Sequence, residues 1–260
     1  MSGENLEVSE KSNNCVGKDT ENCFYSIIIP AHNEEKYIIK TILSLLNQSN
    51  LNNNNLNFEI IVVANGCNDK TVDKVKETKQ NFGINGMLKV LETDIANVSR
   101  ARNIGAQEAK GRHLVFLDAD TIPEHNFFVK TKNKIRLGHS VMATLVRPDI
   151  KGWKFSLVMG IKNILNYTKI YKGSSGLILC PADKFWQVGG FNENIIVKEN
   201  KDLIRRLMNY GDYHCLNSYV TTSMRRYKEW GLLKAASFWL KQWGRYFTGD
   251  LEKSGYEKVR

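Results

Sequence analysis

Arg112-His113-Leu114-Val115-Phe116-Leu117-Asp118-Ala119-Asp120-Thr121-Ile122-Pro123 is an apolar run that ends abruptly in two carboxylates, Asp118 and Asp120. A short apolar run bounded by turn formers is the pattern of a buried strand. Side chains at i and i+2 of a strand point to the same side, so two aspartates at this spacing can converge on one hard cation where the chain leaves the sheet. Oxygen-only ligation suits Mg²⁺ or Mn²⁺, which take one or two protein carboxylates and leave their other positions to water and substrate phosphates. The ligand implied is a diphosphate. Aspartate also favours strand-ending turns, so the pair alone does not separate a metal site from ordinary turn chemistry.

Three neighbouring segments sharpen the reading. Ser26-Ile27-Ile28-Ile29-Pro30-Ala31-His32-Asn33-Glu34-Glu35 reads as a buried strand that stops at the proline, followed by a helix with acidic residues in its first turn. Glu59-Ile60-Ile61-Val62-Val63-Ala64-Asn65-Gly66-Cys67-Asn68-Asp69 is a second β-branched strand that ends in Asn-Gly and a helix opened by Asp69. Ser99-Arg100-Ala101-Arg102-Asn103-Ile104-Gly105-Ala106 opens a helix that ends near Gly111, just before the acidic strand. Alternating strand and helix predict an α/β fold with a parallel, doubly wound sheet. In such a sheet, ligands bind beyond the carboxyl ends of the strands.

These segments, in this order, resemble the family 2 glycosyltransferases of the GT-A fold. The matching elements are Ile-Ile-Pro-Ala-His-Asn-Glu-Glu, Val-Val-Ala-Asn-Gly-Cys-Asn-Asp, Ala-Arg-Asn-Ile-Gly, Asp118-Ala119-Asp120 and Val188-Gly189-Gly190-Phe191-Asn192-Glu193. Two later pieces, Glu199-Asn200-Lys201-Asp202-Leu203 and Thr222-Ser223-Met224-Arg225-Arg226-Tyr227, also look like family elements. Ordered co-occurrence over about residues 24 to 228 is far more specific than any one motif. The resemblance implies a Rossmann-like, mainly parallel central sheet flanked by helices. It also implies sugar transfer, with inversion, from a nucleoside diphosphate sugar, assisted by Mn²⁺ or Mg²⁺.

Carried over by residue, the resemblance places Pro30, Ala31, His32, Asn33 and Glu34 in the nucleotide loop, with His32 where a ring stacks on the base. Asn65 takes the base-reading position, where the family often has Asp. An amide oxygen can still accept the imide N–H of uracil or guanine. Read without the resemblance, Asn65-Gly66 is an ordinary turn. Asp118 matches the residue that reaches the ribose or a metal-bound water, Ala119 lies with it among the nucleotide-sugar-binding residues, and Asp120 matches the direct metal ligand, with Asp118 as the second metal candidate. Arg102, Arg225 and Arg226 are candidate clamps, because a guanidinium matches phosphate oxygens through paired donors.

The sequence departs from the family pattern where an Asp usually deprotonates the acceptor hydroxyl: here Asn200 follows Glu199. An amide cannot take a proton at neutral pH. Asp202 and Glu199 remain as candidate bases, both suited to a helix N-terminus as well. An acceptor that is already an anion, such as a polyprenyl phosphate, needs no base; glycan and glycolipid acceptors do.

Composition bounds the rest. The 260 residues suffice for one large domain at about 23–228, with a nucleotide half to 123 and an acceptor half from 124. Residues 1–22 are polar, carry no secretory leader pattern and read as a disordered arm. Asn47 to Asn57 is a low-complexity stretch that reads as a loop. The five cysteines are scattered without Cys-x-x-Cys spacing, which argues against a disulfide framework or zinc site and fits a cytoplasmic setting. A net charge of +10 suits phosphorylated substrates or anionic lipid, and no zinc-finger or RNP-type sequence supports nucleic acid. In the extension 229–260, Trp230, Leu233, Trp239, Leu240, Trp243 and Phe247 fall on one helical face with lysines opposite, which predicts either core packing or peripheral contact with an anionic membrane at its inner face. Two other functions remain open: a nucleotidyltransferase that makes sugar nucleotides, which would usually open with a Gly-rich loop, and a non-catalytic nucleotide- or polyanion-binding protein.

Overall fold

The computed structural model describes residues 24–49, 57–135, 138–174 and 176–248. The elements in chain order are β1 (Phe24–Ala31), α1 (Ile38–Ser49), β2 (Asn57–Asn65), α2 (Thr71–Asn81), β3 (Leu88–Thr93), α3 (Val98–Gln107), β4 (His113–Leu117) and β5 (Thr121–Pro123). They continue with α4 (Phe127–Ile135), β6 (Val141–Pro148), α5 (Trp153–Tyr167), β7 (Leu177–Pro181), α6 (Ala182–Gln187), α7 (Glu199–Leu207), β8 (Tyr213–Thr222) and α8 (Arg225–Thr248). The arm 1–22 lies outside the described residues.

Among the described residues the strands form one eight-stranded sheet in the order β3-β2-β1-β4-β7-β6-β8-β5. The first four are parallel, with Ile27 opposite Ile60 on one side and Val115 on the other. Ile27, Ile29, Val62 and Leu117 bury into one core layer, while Ile28, Leu114 and Phe116 bury into the other. Two covered faces explain why these strands read as unbroken apolar runs rather than alternations. Beyond β4 the sheet is mixed: β7 is antiparallel to β4 and β6, β6 is parallel to β8, and β5 is antiparallel to β8.

This order dictates the shape of the sheet. Only residues 118–120 separate β4 from β5, yet the two strands stand four places apart in the sheet. In a flat sheet four spacings of about 4.8 Å come to about 19 Å, beyond the ~14 Å that four extended peptide steps reach. The sheet therefore curls, bringing β5 and β8 round to the carboxyl end of β4.

Several local expectations are corrected. β1 does not stop at the proline: it runs to Ala31, with Pro30 opposite Val63. Ile28 is the last residue of β1 paired with β4, so at Pro30 the strand has only the β2 ladder to satisfy. Helix α1 starts at Ile38 with no acid in its first turn, because Glu34 and Glu35 are held in the preceding loop. The expected loop 47–57 is shorter than its composition suggests: α1 claims residues to Ser49, β2 starts at Asn57, and residues 50–56 lie outside the described ones. Helix α3 ends at Gln107, four residues early, and packs close enough that a methyl on Gly105 would strike Ile28 Cγ2. Helix α8 is broken at Gly231, where φ is 74°. Most side chains of the apolar face expected along 230–247 lie outside the described residues.

Candidate active site

Asp118 and Asp120 sit in the turn that joins β4 to β5, not on the strand itself. The Asp118 N–H donates to the Gly176 carbonyl at 2.9 Å, and the Thr121 N–H closes the turn on the Asp118 carbonyl at 3.0 Å. A side chain at Gly176, with φ of +89°, would meet Thr121 Oγ1 at 2.6 Å. The turn separates the two carboxylates by partner, each tied through an arginine to a buried glutamate.

In the first network, buried Arg102 of α3 donates from one nitrogen to Asp118 at 2.7 Å and from another to Glu199 at 2.9 Å. Its guanidinium also lies 5.0 Å from the centre of the Phe191 ring. Against the desolvation that burial imposes, the charges of Asp118 and Glu199 raise the Arg102 pKa above its ordinary value. In the second network, Arg225 grips Glu34 with paired hydrogen bonds of 2.8 and 2.6 Å and reaches Asp120 at 3.0 Å. Burial again opposes charge there, yet the Glu34 hydrogen bonds and the Asp120 charge push the Arg225 pKa upward. Of the two carboxylates in each network the aspartate is the more exposed, with 16% at Asp120 against 1% at Glu34 and 37% at Asp118 against 10% at Glu199. The aspartates are thus the accessible ends.

The motifs singled out in sequence meet physically. Asn103 of α3 holds the Gly-Gly-Phe turn from both sides, accepting from the Phe191 N–H and donating to its carbonyl, each at 2.9 Å. The loop after β1 is laced to the loop after β2. The His32 ring lies 2.6 Å from the Asn65 carbonyl through Nδ1, and since a carbonyl only accepts, that nitrogen carries the proton. The Asn68 N–H donates to Asn33 Oδ1 at 2.8 Å, and the Glu34 N–H donates to Thr71 Oγ1 at 2.7 Å. Asn33 accommodates this with φ of 55°.

Other candidates are placed differently from the sequence reading. Pro30 and Ala31 end β1 with buried side chains and Glu34 is buried too, so of these five candidates His32 and Asn33 are the partly exposed ones. The Ala119 side chain belongs to the core and its carbonyl accepts from Thr41 of α1 at 2.7 Å. Glu34 is committed to Arg225. Arg226 diverges from Arg225 and lies 5.6 Å from the Trp230 ring centre. Asp202 and Glu199, on one helix, also part company: Asp202 is held by Arg205 and Arg206, and Arg206 in turn donates to the Val188 and Gly190 carbonyls.

The sequence profile described as Glycosyl transferase family 2 matches residues 26–187, more than half of the chain. The chain belongs to this family. An uncharacterized glycosyltransferase of Haemophilus influenzae is 31% identical over 163 residues, covering 59% of each chain. The poly(ribitol-phosphate) beta-N-acetylglucosaminyltransferase TarS of Staphylococcus aureus is 30% identical over 96 residues, 37% of this chain and 16% of that one. This chain therefore spans less than two thirds of the length of these relatives. Among solved structures, TarS bound to UDP-GlcNAc aligns with a TM-score of 0.58 and 19% identity over 76% of this chain and 58% of that one. The mannosyltransferase PcManGT from Pyrobaculum calidifontis, in complex with GDP-Man and Mn²⁺, aligns with a TM-score of 0.63 and 17% identity over 80% and 60%. The family 2 chain accordingly has the GT-A fold.

Sequence reasoning missed three lysines near these networks. Lys162 of α5 is half-buried; desolvation of its ammonium pushes it down to about 8, against the pull of the Asp118 charge. Lys198, beside Glu199, is 6% exposed and adopts φ of 67°; burial and the nearby Lys201 push it down to about 8 as well. Lys201 is shifted down by burial, and its ammonium lies 4.3 Å from the Tyr171 ring centre. The polar Lys162-Asn163 pair inside an apolar helix is the one signal that could have pointed inward. No local pattern announces the left-handed Lys198.

Proposed function

We propose that this chain transfers a sugar, with inversion, from a UDP- or GDP-linked donor to an acceptor in cell-envelope glycan or glycolipid synthesis, with Mn²⁺ or Mg²⁺ held by Asp120 and Asp118. The observation that carries the reading is the pair of carboxylate–arginine–carboxylate networks whose accessible ends are the two aspartates at the carboxyl end of β4. Hard carboxylate oxygens fit such an ion. Among the described residues no three His, Cys, Asp or Glu gather around one point, which suits a metal that completes its shell with donor phosphates and water. Such an ion, when bound, offsets the charge that builds on the leaving nucleoside diphosphate.

The protein's own groups divide the remaining work. The partly exposed His32 and Asn33 and the buried Asn65 are assigned to the nucleotide side. Arg225, held by Glu34, orients Asp120 and offers its charge to the diphosphate, while Arg102 fixes Asp118 and Glu199 from below. The first test is a thermal-shift screen of UDP- and GDP-sugars with and without Mn²⁺, followed by donor hydrolysis. Stabilisation and hydrolysis support the reading. Synthesis of sugar nucleotide from a nucleoside triphosphate would support the nucleotidyltransferase, and binding without turnover the non-catalytic protein.

If Asn65 reads the base, Asn65→Ala weakens donor binding by about 1–3 kcal/mol through a lost hydrogen bond and an unsatisfied base edge. Titration calorimetry with the preferred nucleotide measures it. Unchanged affinity would return Asn65-Gly66 to an ordinary turn.

For the base, the contacts favour Glu199, because it belongs to the Asp118 network whereas Asp202 is engaged by Arg205 and Arg206 at the Gly-Gly-Phe turn. Glu199→Gln should abolish transfer to a hydroxyl and remove the basic role from the pH profile. Asp202→Asn should act mainly on stability. Equal loss from Asp202→Asn alone would reverse the assignment.

A second reading has its own support: Asn200 stands where the family's base is expected, and Lys198 and Lys201 flank it. A phosphate acceptor would be recognised by those ammonium groups and would need no deprotonation. The sign is testable. Lys198 loses its charge as pH rises through about 8, so affinity for a polyprenyl phosphate should fall above that pH, by up to about tenfold per unit for one titrating group. Lys198→Met should flatten the dependence. A KM that stays constant from neutral to alkaline pH in the wild type would exclude this role.

A further inference from the structure

Helix α5 is poorly covered by the described residues. Only Met159 and Asn166 along it are buried, and its inner face is fixed by Asn163, whose side-chain amide exchanges two 2.8 Å hydrogen bonds with the Val146 backbone. The opposite face carries Trp153, Leu157, Ile161 and Ile164, spaced four, four and three residues apart, which is one stripe of an α-helix. All four are exposed, Trp153 at 73% and Ile164 at 64%. Tyr167, the last residue of the helix, and Ile170 beyond it extend the stripe and are also exposed. A contiguous apolar patch of this kind on a folded chain marks an interaction surface.

The charges around the stripe decide what covers it. From residue 150 to residue 182 the chain contains no Asp or Glu, whereas it carries Lys151, Lys154, Lys162, Lys169 and Lys172. Lys151, Lys154 and Lys169 are exposed at the two ends of the helix, and the Lys154 ammonium lies 5.7 Å from the centre of the Trp153 ring. A two-fold contact between copies would set lysine against lysine, a like-charge arrangement that opposes association. An anionic bilayer answers both features, since it accepts the apolar stripe among its acyl chains and the lysines among its headgroups. Trp and Tyr at the ends of the stripe suit the boundary between the two.

We infer that the outer face of α5 docks this protein on an anionic membrane surface, lying in the plane of the interface rather than crossing it. No described helix is long and apolar enough to cross a membrane. This surface is distinct from the face expected along 230–247, and it does not depend on the proposed activity.

The test is flotation of the full chain with phosphatidylglycerol-containing vesicles and with pure phosphatidylcholine vesicles. Binding to the anionic vesicles, weakened by high salt, is expected. Leu157→Glu with Ile161→Glu should reduce it at least about tenfold, because two charges would enter the acyl boundary. Lys151→Glu with Lys154→Glu should remove the preference for anionic lipid. Trp153→Phe should remove a blue shift of the fluorescence seen on vesicle addition. Melting temperature and nucleotide-induced stabilisation, both independent of an exposed stripe, should be unchanged in every variant and thus certify the fold. Wild-type protein that ignores anionic vesicles overturns the inference. So does binding that survives the α5 substitutions, or a concentration-dependent dimer in sedimentation that Ile161→Glu dissolves, which would make a second copy the occupant.

Discussion

Asp120→Asn is expected to lower kcat by at least about a thousandfold, equivalent to ~4 kcal/mol of barrier, while leaving the melting temperature nearly unchanged. The asymmetry follows from the second network. Glu34 grips Arg225 with two hydrogen bonds of its own, so Arg225 keeps its place when the 3.0 Å contact to Asp120 is weakened. The turn is also closed by backbone hydrogen bonds that the side chain does not make. An amide of equal size therefore preserves the fold but supplies a neutral oxygen, a weaker ligand than a carboxylate, to the proposed divalent ion. Initial rates over a Mn²⁺ titration, paired with a melting curve, separate the two effects. Full activity of the variant, or of the wild type in excess chelator, would remove the metal from the proposed function.

What could be read from sequence divides along the sheet. The strands at 26–31, 59–65 and 113–117 declare themselves because parallel strands buried on both faces are apolar without interruption. The acceptor half is less legible. β5 has only three residues and its place at the far edge depends on pairing with β8, almost a hundred residues away, a long-range choice that no local pattern encodes. The site shows the same division. Asp118, Asp120 and the loop after β1 are visible as strand-end polar residues, but which arginine meets which carboxylate is a property of the curled sheet. The adjacent Arg225 and Arg226 look equivalent in sequence, yet one meets Glu34 and Asp120 and the other meets Trp230. Glu199 and Asp202 share a helix start and are sorted only by the partners around them: Arg102 from α3 for one, Arg205 and Arg206 of the same helix for the other.

Arg102→Met should be the most destabilising substitution at the site, costing about 3–5 kcal/mol, because removing one partner of a buried ion pair leaves uncompensated charge behind. Here the stranded partners number two. Glu199, a tenth exposed, loses its 2.9 Å hydrogen bond, and Asp118 loses its 2.7 Å contact with Arg102. The guanidinium's contact with Phe191 goes as well, loosening α3 from the turn that Asn103 still holds. At ~2–4 °C per kcal/mol for a domain of this size, the melting temperature should fall by about 10 °C, and urea unfolding should show a lower midpoint at an unchanged slope. Arg102→Lys keeps the charge but cannot span two carboxylates with a rigid fork, so it should recover only part of the loss. Removing one of the stranded charges should help more: in Arg102→Met with Glu199→Gln, the two substitutions should cost less together than the sum of each alone, as coupled neighbours do. A loss below about 1 kcal/mol for Arg102→Met, or strict additivity in that double variant, would mean that the two carboxylates do not rely on Arg102 and that the order of the aspartate turn has another source.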